Sequence, residues 1–107
     1  MKYRTSLFKP KDKAEITRCT MLLFRRYGVR VPAKAVAKEM QWTKATYAKN
    51  ALRWGWDQFL DRQTGTYPVL AVGVWAWAID KYKGWGGTSH VRVSRLRKAL
   101  SRTLAGA

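Results

Sequence analysis

The polar side chains between Thr43 and Arg53 are the residues whose chemistry is easiest to assign. An arginine or lysine can form paired hydrogen bonds with guanine, and an asparagine with adenine, so such side chains on one helix can read base edges. A plain solvated helix face is the alternative for each of them. The candidate base-reading residues are Lys44, Thr46, Lys49, Asn50 and Arg53.

Further cations suit contact with a phosphate backbone. No acidic residue follows Asp80, while arginines recur along the last predicted helix on the side opposite its leucines. A one-sided cationic helix can lie along phosphates without reading sequence, and it could also fit an acidic protein groove or a membrane surface. The candidate phosphate-contacting residues are Lys34, Lys38, Thr43, Arg92, Arg95, Lys98 and Arg102.

The overall charge favours a polyanionic partner. The 107-residue chain carries 22 lysines and arginines against 6 acidic residues, a formal net charge of +16. Such an excess causes self-repulsion in the folded state, and binding a polyanion relieves it. Nucleic acid is therefore the first expectation, an acidic protein the second and a membrane surface the third.

Features typical of an enzyme are missing from the sequence. His90 is the only histidine, no glycine-rich phosphate loop is present, and the acidic residues form no pair beyond Asp57 and Asp61, one helical turn apart. We expect no catalysis, no cofactor, no metal and no small-molecule substrate.

The sequence also suggests a location. Cys19 is the only cysteine, which suits a reducing cytoplasm. The longest apolar run, Val69–Ile79, is well short of the roughly 20 residues that a membrane-spanning helix needs. We expect a soluble protein in the cytoplasm, or associated with the nucleoid, with no membrane partner.

The elements that must position these residues are predicted to be helices. Residues 1–9 form a basic N-terminal arm, and residues 10–107 form one compact all-α domain of about five helices. Val69–Ile79 could also be a buried strand, although its alanines and its length favour a helix. The predicted helices span Pro10–Tyr27, Pro32–Met40, Lys44–Leu60, Val69–Tyr82 and a last segment capped by Thr88 or Ser89.

The stretch AKAVAKEMQWTKATYAKNAL, residues 33–52, resembles the helix-turn-helix motif of DNA-binding proteins. Ala37 stands where that motif has a small residue between its two helices, and Thr43 stands where a Ser or Thr caps the second helix. Gln41 replaces the usual turn glycine, and Asn50 replaces a common apolar residue. An ordinary helical hairpin is the alternative. Three apolar positions of the motif are filled by Val36, Met40 and Trp42.

The resemblance implies a helix-turn-helix over about residues 32–60 and double-stranded DNA as the partner. Its base-reading positions correspond here to Lys44, Ala45, Ala48, Lys49 and Leu52. A leucine would be unusual at a groove surface. At about 100° per residue, the segment Lys44–Leu60 is instead expected to bury two stripes and to leave one polar edge. The first stripe holds Tyr47, Ala51 and Trp54, and the second holds Ala45, Ala48, Leu52, Trp56 and Phe59.

These features predict a sequence-specific DNA-binding protein, a small transcriptional regulator of the kind that a phage or mobile element encodes. Such proteins often act as homodimers, and Val69–Ile79 is either a dimer surface or the central core helix. One alternative is a basic inhibitor or adaptor that docks on a nucleic-acid-processing enzyme or on RNA polymerase. Another is an RNA or single-strand binder that stacks bases on Trp85.

Overall fold

The computed structural model describes residues 10–82 and 90–106, with the side chains of residues 82, 90–92 and 106 left out. Within these ranges the chain forms five α-helices and one small antiparallel sheet, which confirms the expected all-α architecture. The predicted arm at residues 1–9, the cap at Thr88 or Ser89 and Trp85 lie outside the described residues. The elements are α1 (Pro10–Tyr27), β1 (Arg30–Pro32), α2 (Ala33–Glu39), α3 (Lys44–Trp54), β2 (Thr66–Pro68), α4 (Val69–Tyr82) and α5 (His90–Gly106).

Helix α4 forms the centre of the fold. The segment that could have been a strand is helical, and it is apolar on every side because neighbours surround it. Trp75 is fully buried, and Val74 and Trp77 are buried on other sides of the same helix. Of the two roles expected for Val69–Ile79, core helix and dimer surface, the structure supports the core helix.

Helices α1 and α4 approach each other closely at Gly73. A Cβ atom added to this glycine would overlap the Thr20 hydroxyl and lie 3.1 Å from the Thr20 Cα atom. The Thr20 hydroxyl is itself buried, and no described residue bonds to it. Gly73 is therefore required by the distance between the two helix backbones.

Replacing Gly73 with alanine is expected to lower the free energy of unfolding by about 1–3 kcal/mol, because the added methyl group forces α1 and α4 apart. At a solvent-exposed helix position, the same glycine-to-alanine change would instead raise the free energy of unfolding by about 1 kcal/mol. Urea denaturation followed by circular dichroism measures the difference. Adding Thr20→Ala should recover much of the loss, and strictly additive effects would contradict this packing.

The two short strands are a feature that the sequence did not predict. Val31 pairs with Tyr67, and both are fully buried. Each strand is only three residues long and ends in proline, which is too short for an alternating pattern to predict a strand. Their pairing joins residues far apart in the chain. Strand β1 is followed directly by α2, and β2 is followed directly by α4.

An aromatic cluster fixes the region that follows α3. Gly55 has a φ of 69° and ends the helix, and residues 56–59 form a 3₁₀ helix. Trp56 is fully buried, stacks on Trp75 at 5.5 Å between ring centroids, and donates from Nε1 to the Ala71 carbonyl at 2.9 Å. The predicted single helix Lys44–Leu60 is therefore wrong, because it ends at Trp54.

Candidate nucleic-acid interface

The connection between α2 and α3 holds the two helices at a defined turn. The Thr43 hydroxyl accepts a hydrogen bond from the Thr46 backbone at 3.1 Å, as an N-cap does. The backbone N–H of Trp42 donates to the Ala37 carbonyl at 2.9 Å. Trp42 also packs edge-on against Trp75 at 5.4 Å, so the turn is anchored on the core.

Gln41 adopts a left-handed backbone conformation in this turn, with a φ of 59°. It occupies the position where the helix-turn-helix motif usually has glycine, because that position favours a positive φ. The side chain is exposed, so no packing contact requires glutamine here.

Replacing Gln41 with glycine is expected to raise the free energy of unfolding by about 0.5–1 kcal/mol, because the left-handed conformation is strained for a residue with a Cβ atom. Thermal unfolding measures the change. Gln63→Gly is the matched control, since Gln63 is an exposed loop residue that does not have a positive φ. A loss of stability in Gln41→Gly as large as that in the control would contradict the expectation.

Helix α3 exposes a broad face rather than a narrow polar edge. Ala45 and Ala48 are exposed, and Leu52 has 74% of its surface exposed. These three residues were expected to be buried in the second stripe, and that expectation is wrong. Alanine fits either a core or a surface, and Gly55 ends the helix before Trp56 and Phe59 can extend the stripe along it.

Most of the candidate base-reading side chains lie on this exposed face. Lys44, Lys49 and Arg53 are exposed, and so is Thr46, whose hydroxyl accepts a hydrogen bond from Thr43 at 2.9 Å. Asn50 is half-buried at the boundary with the core. The structure therefore brings four of the five candidates to the surface. We define the α3 face as the exposed set Lys44, Ala45, Ala48, Lys49, Leu52 and Arg53.

The opposite side of α3 is fixed to the sheet and to α4. Ala51 and Trp54 are buried, and the Tyr47 hydroxyl lies 2.6 Å from the hydroxyl of the fully buried Tyr67. Burial, followed by the hydrogen bond with Tyr47, raises the pKa of Tyr67 well above the ordinary value for tyrosine. The two hydroxyls thus bond to each other inside the protein, and this side of α3 packs against the core.

Helix α2 exposes two cations, and its one carboxylate forms hydrogen bonds with residues of α1. Lys34 and Lys38 are exposed, as phosphate contacts require. Glu39 accepts hydrogen bonds from Tyr27 at 2.6 Å and from Arg26 at 2.8 Å, and these bonds, the Tyr27 bond foremost, lower the pKa of Glu39. The hydrogen bonds of this acidic group go to α1, and its interaction with Lys38 is weaker than these.

Helix α5 exposes three of its four candidate cations, Arg95, Lys98 and Arg102. Only the backbone of Arg92 is described, and it lies in the first turn of the helix. Val93, Leu96 and Leu100 are buried on the other side, which confirms the predicted one-sided pattern.

Comparisons of the chain with protein-family models, with curated proteins and with solved structures find no match. The interpretation of the α3 face therefore rests on its own geometry and charge. Within residues 10–82 and 90–106, no helix is both long and apolar enough to cross a membrane. The same ranges contain no group of three His, Cys, Asp or Glu side chains that could hold a metal ion.

Proposed function

We propose that the protein binds double-stranded DNA in a sequence-specific manner through the α3 face, as a small transcriptional regulator. The observation that carries the proposal is the exposure of this face in a helix that contains no acidic residue. An α-helix fits the major groove of B-DNA, where each base pair presents a distinct pattern of donors and acceptors.

The composition of the α3 face suits close approach to bases. Ala45 and Ala48 have short side chains, so the helix backbone can lie deep in a groove, and a methyl group can contact thymine. Lys49 and Arg53 can donate to guanine, one helical turn apart on the same side. Leu52 then contributes an apolar contact. The proposed base-reading residues therefore match the positions given by the helix-turn-helix motif better than they match the polar edge expected from periodicity.

Cations outside α3 support a second kind of contact. Lys34 and Lys38 on α2 and the exposed cations of α5 would bind phosphates, which fixes the position of the protein on the duplex without reading sequence. Thr43, which lies at the start of α3, would also contact a phosphate. This division of roles places recognition on α3 and general affinity on α2 and α5, in a protein of the cytoplasm or nucleoid.

The proposal is tested with Lys49→Ala and Arg53→Ala. After selection of a preferred site from a random duplex library, each substitution is expected to weaken binding to that site by about 10-fold, because a lost base contact removes roughly 1–3 kcal/mol. Binding to an unrelated duplex should weaken much less. Fluorescence anisotropy measures both affinities.

Lys13→Ala is the matched control, since Lys13 is an exposed lysine of α1 away from the α3 face. It should change the two affinities by the same small factor. Equal losses for the selected and unrelated duplexes in Lys49→Ala and Arg53→Ala would mean that both side chains contact phosphate only, and sequence reading by α3 would be excluded.

A protein-binding function is the second candidate, favoured by one specific observation. Met21, Leu22 and Phe24 on α1 and Val29 just after it are large apolar side chains with 43–65% of their surface exposed. They could contact a second copy of the chain, as in a homodimer, or a subunit of RNA polymerase. Phe24→Asp should then abolish a nuclease-resistant complex while leaving duplex affinity unchanged.

Single-strand binding has less support from the described residues. Trp42 is half-buried, and the four tryptophans at positions 54, 56, 75 and 77 are buried, so none offers an open stacking surface there. The stacking role predicted for Trp85 lies outside the described residues.

A further inference from the structure

A cleft lies between the 3₁₀ helix and α5, next to the end of α3. It is open to solvent, has a volume of about 530 Å³, and is lined by polar or cationic side chains. All but one of them come from a single stripe of α5, because residues three, four, seven and eight apart lie on one side of a helix. The lining residues are Gln58, Ser94, Arg97, Lys98, Ser101 and Arg102.

The charge of the cleft is uncompensated. Arg97, Lys98 and Arg102 contribute three cations, and no carboxylate lines the cleft. None of the three is within ion-pair distance of an acidic side chain in the described part of the chain. Three like charges so close together repel one another, and an anion placed between them relieves that repulsion.

Arg97 is positioned by packing rather than by a polar partner. Its side chain crosses Gly55, where an added Cβ atom would overlap Nη1 and lie 3.0 Å from Cζ. Its Nε atom is buried, and no described residue accepts its hydrogen bond. A buried donor without an acceptor is energetically unfavourable. The guanidinium is thus held against Gly55, beside the cleft, with one donor that has no acceptor among the described residues.

We propose that this cleft binds a phosphate group. Arginine presents several N–H donors in a planar fork that matches phosphate oxygens, and lysine adds a point charge. The hydroxyls of Ser94 and Ser101 and the amide of Gln58 supply neutral donors around them. The phosphate belongs either to a free phosphate compound or to a duplex backbone, and only the second source rests on the proposed function.

The side-chain Nε–Hε resonance of Arg97 tests the proposal directly in two-dimensional NMR spectra. It is assigned as the signal that Arg97→Lys removes. Inorganic phosphate should shift it in a saturable manner, whereas chloride at the same ionic strength should not. A duplex that shifts the same resonance identifies the backbone as the source. A resonance that responds to neither phosphate nor duplex overturns the proposal.

Two substitutions on α5 separate the cleft from the general charge of the helix. Ser101→Asp places a carboxylate in the cleft, and Thr103→Asp makes the same charge change on an exposed residue outside it. Ser101→Asp should weaken phosphate binding by about 10-fold or more, with Thr103→Asp changing it by less than about threefold. Equal effects of the two substitutions overturn the proposal.

The cleft and the α3 face can fail independently. If phosphate shifts Arg97 but no duplex binds, the cleft stands and the proposed function fails. If a selected duplex binds through Lys49 and Arg53 while Arg97 ignores phosphate and duplex alike, the proposed function stands and the cleft proposal is overturned. When duplex is the ligand, Ser101→Asp should weaken selected and unrelated duplexes equally, since a phosphate contact carries no sequence information.

Discussion

Replacing Ala48 with glutamate is expected to lower the affinity for duplex DNA by about 100-fold, because a carboxylate on a groove-facing helix meets phosphates and base acceptors of the same sign. Ala48 is exposed on the α3 face. Glutamate is a good helix former, so the substitution should leave the fold intact. The loss of affinity would therefore come from the interface and not from unfolding.

The matched control for this prediction is Ala14→Glu. Ala14 is an exposed alanine of α1, and the change alters the net charge of the chain by the same amount. It should weaken duplex binding only a few-fold, through long-range electrostatics that salt screens. Anisotropy titrations give the affinities, and circular dichroism verifies the fold. Similar losses in Ala48→Glu and Ala14→Glu would mean that α3 is not the interface.

Replacing Trp56 with alanine is expected to lower the free energy of unfolding by about 3–5 kcal/mol, the range for truncating a buried aromatic residue. The change removes a fully buried ring, its stacking on Trp75 and its hydrogen bond to the Ala71 carbonyl. Trp56 follows the end of α3, and its loss also removes its edge contact with Trp54 there. Chemical denaturation measures the effect.

Leu52→Ala provides the comparison for Trp56→Ala. Leu52 is also a large apolar residue of this segment, but its exposure predicts a change within about 0.5 kcal/mol. Duplex affinity should rank the two variants in the reverse order. Leu52→Ala should weaken duplex binding because Leu52 belongs to the α3 face, whereas the folded fraction of Trp56→Ala keeps that face. A Trp56→Ala protein as stable as Leu52→Ala would contradict the central position of the aromatic cluster.

Local sequence signals predicted much of the fold. Pro10 and Gly28 bracket α1, whose ends agree with the prediction, because proline is tolerated in the first helical turn and glycine ends helices. Thr43 caps α3 as expected. Gly55 was missed, since it stands within an apolar aromatic run whose spacing continues a helix. Its left-handed conformation depends on Trp56 turning into the core.

The candidate site was only partly readable from the sequence. Periodicity assigned Ala45, Ala48 and Leu52 to the interior because they are apolar and helically spaced. This spacing does not show which faces of α3 are covered by other elements of the fold. The positions of the helix-turn-helix motif gave the exposed face more accurately. Lys98 and Arg102 were among the predicted phosphate contacts, but the cleft itself had no sequence signal, since Gln58 and Arg97 are 39 positions apart and meet only in the folded chain.

Titration of the intact protein with a duplex containing a selected site, repeated over a range of salt concentrations, is the most direct test of DNA binding. We expect tight binding at low ionic strength, an affinity that falls linearly on logarithmic axes as salt rises, and a preference for the selected site that persists at each concentration. Absence of duplex binding at low ionic strength, or binding with no preference for any sequence, would contradict the proposed function.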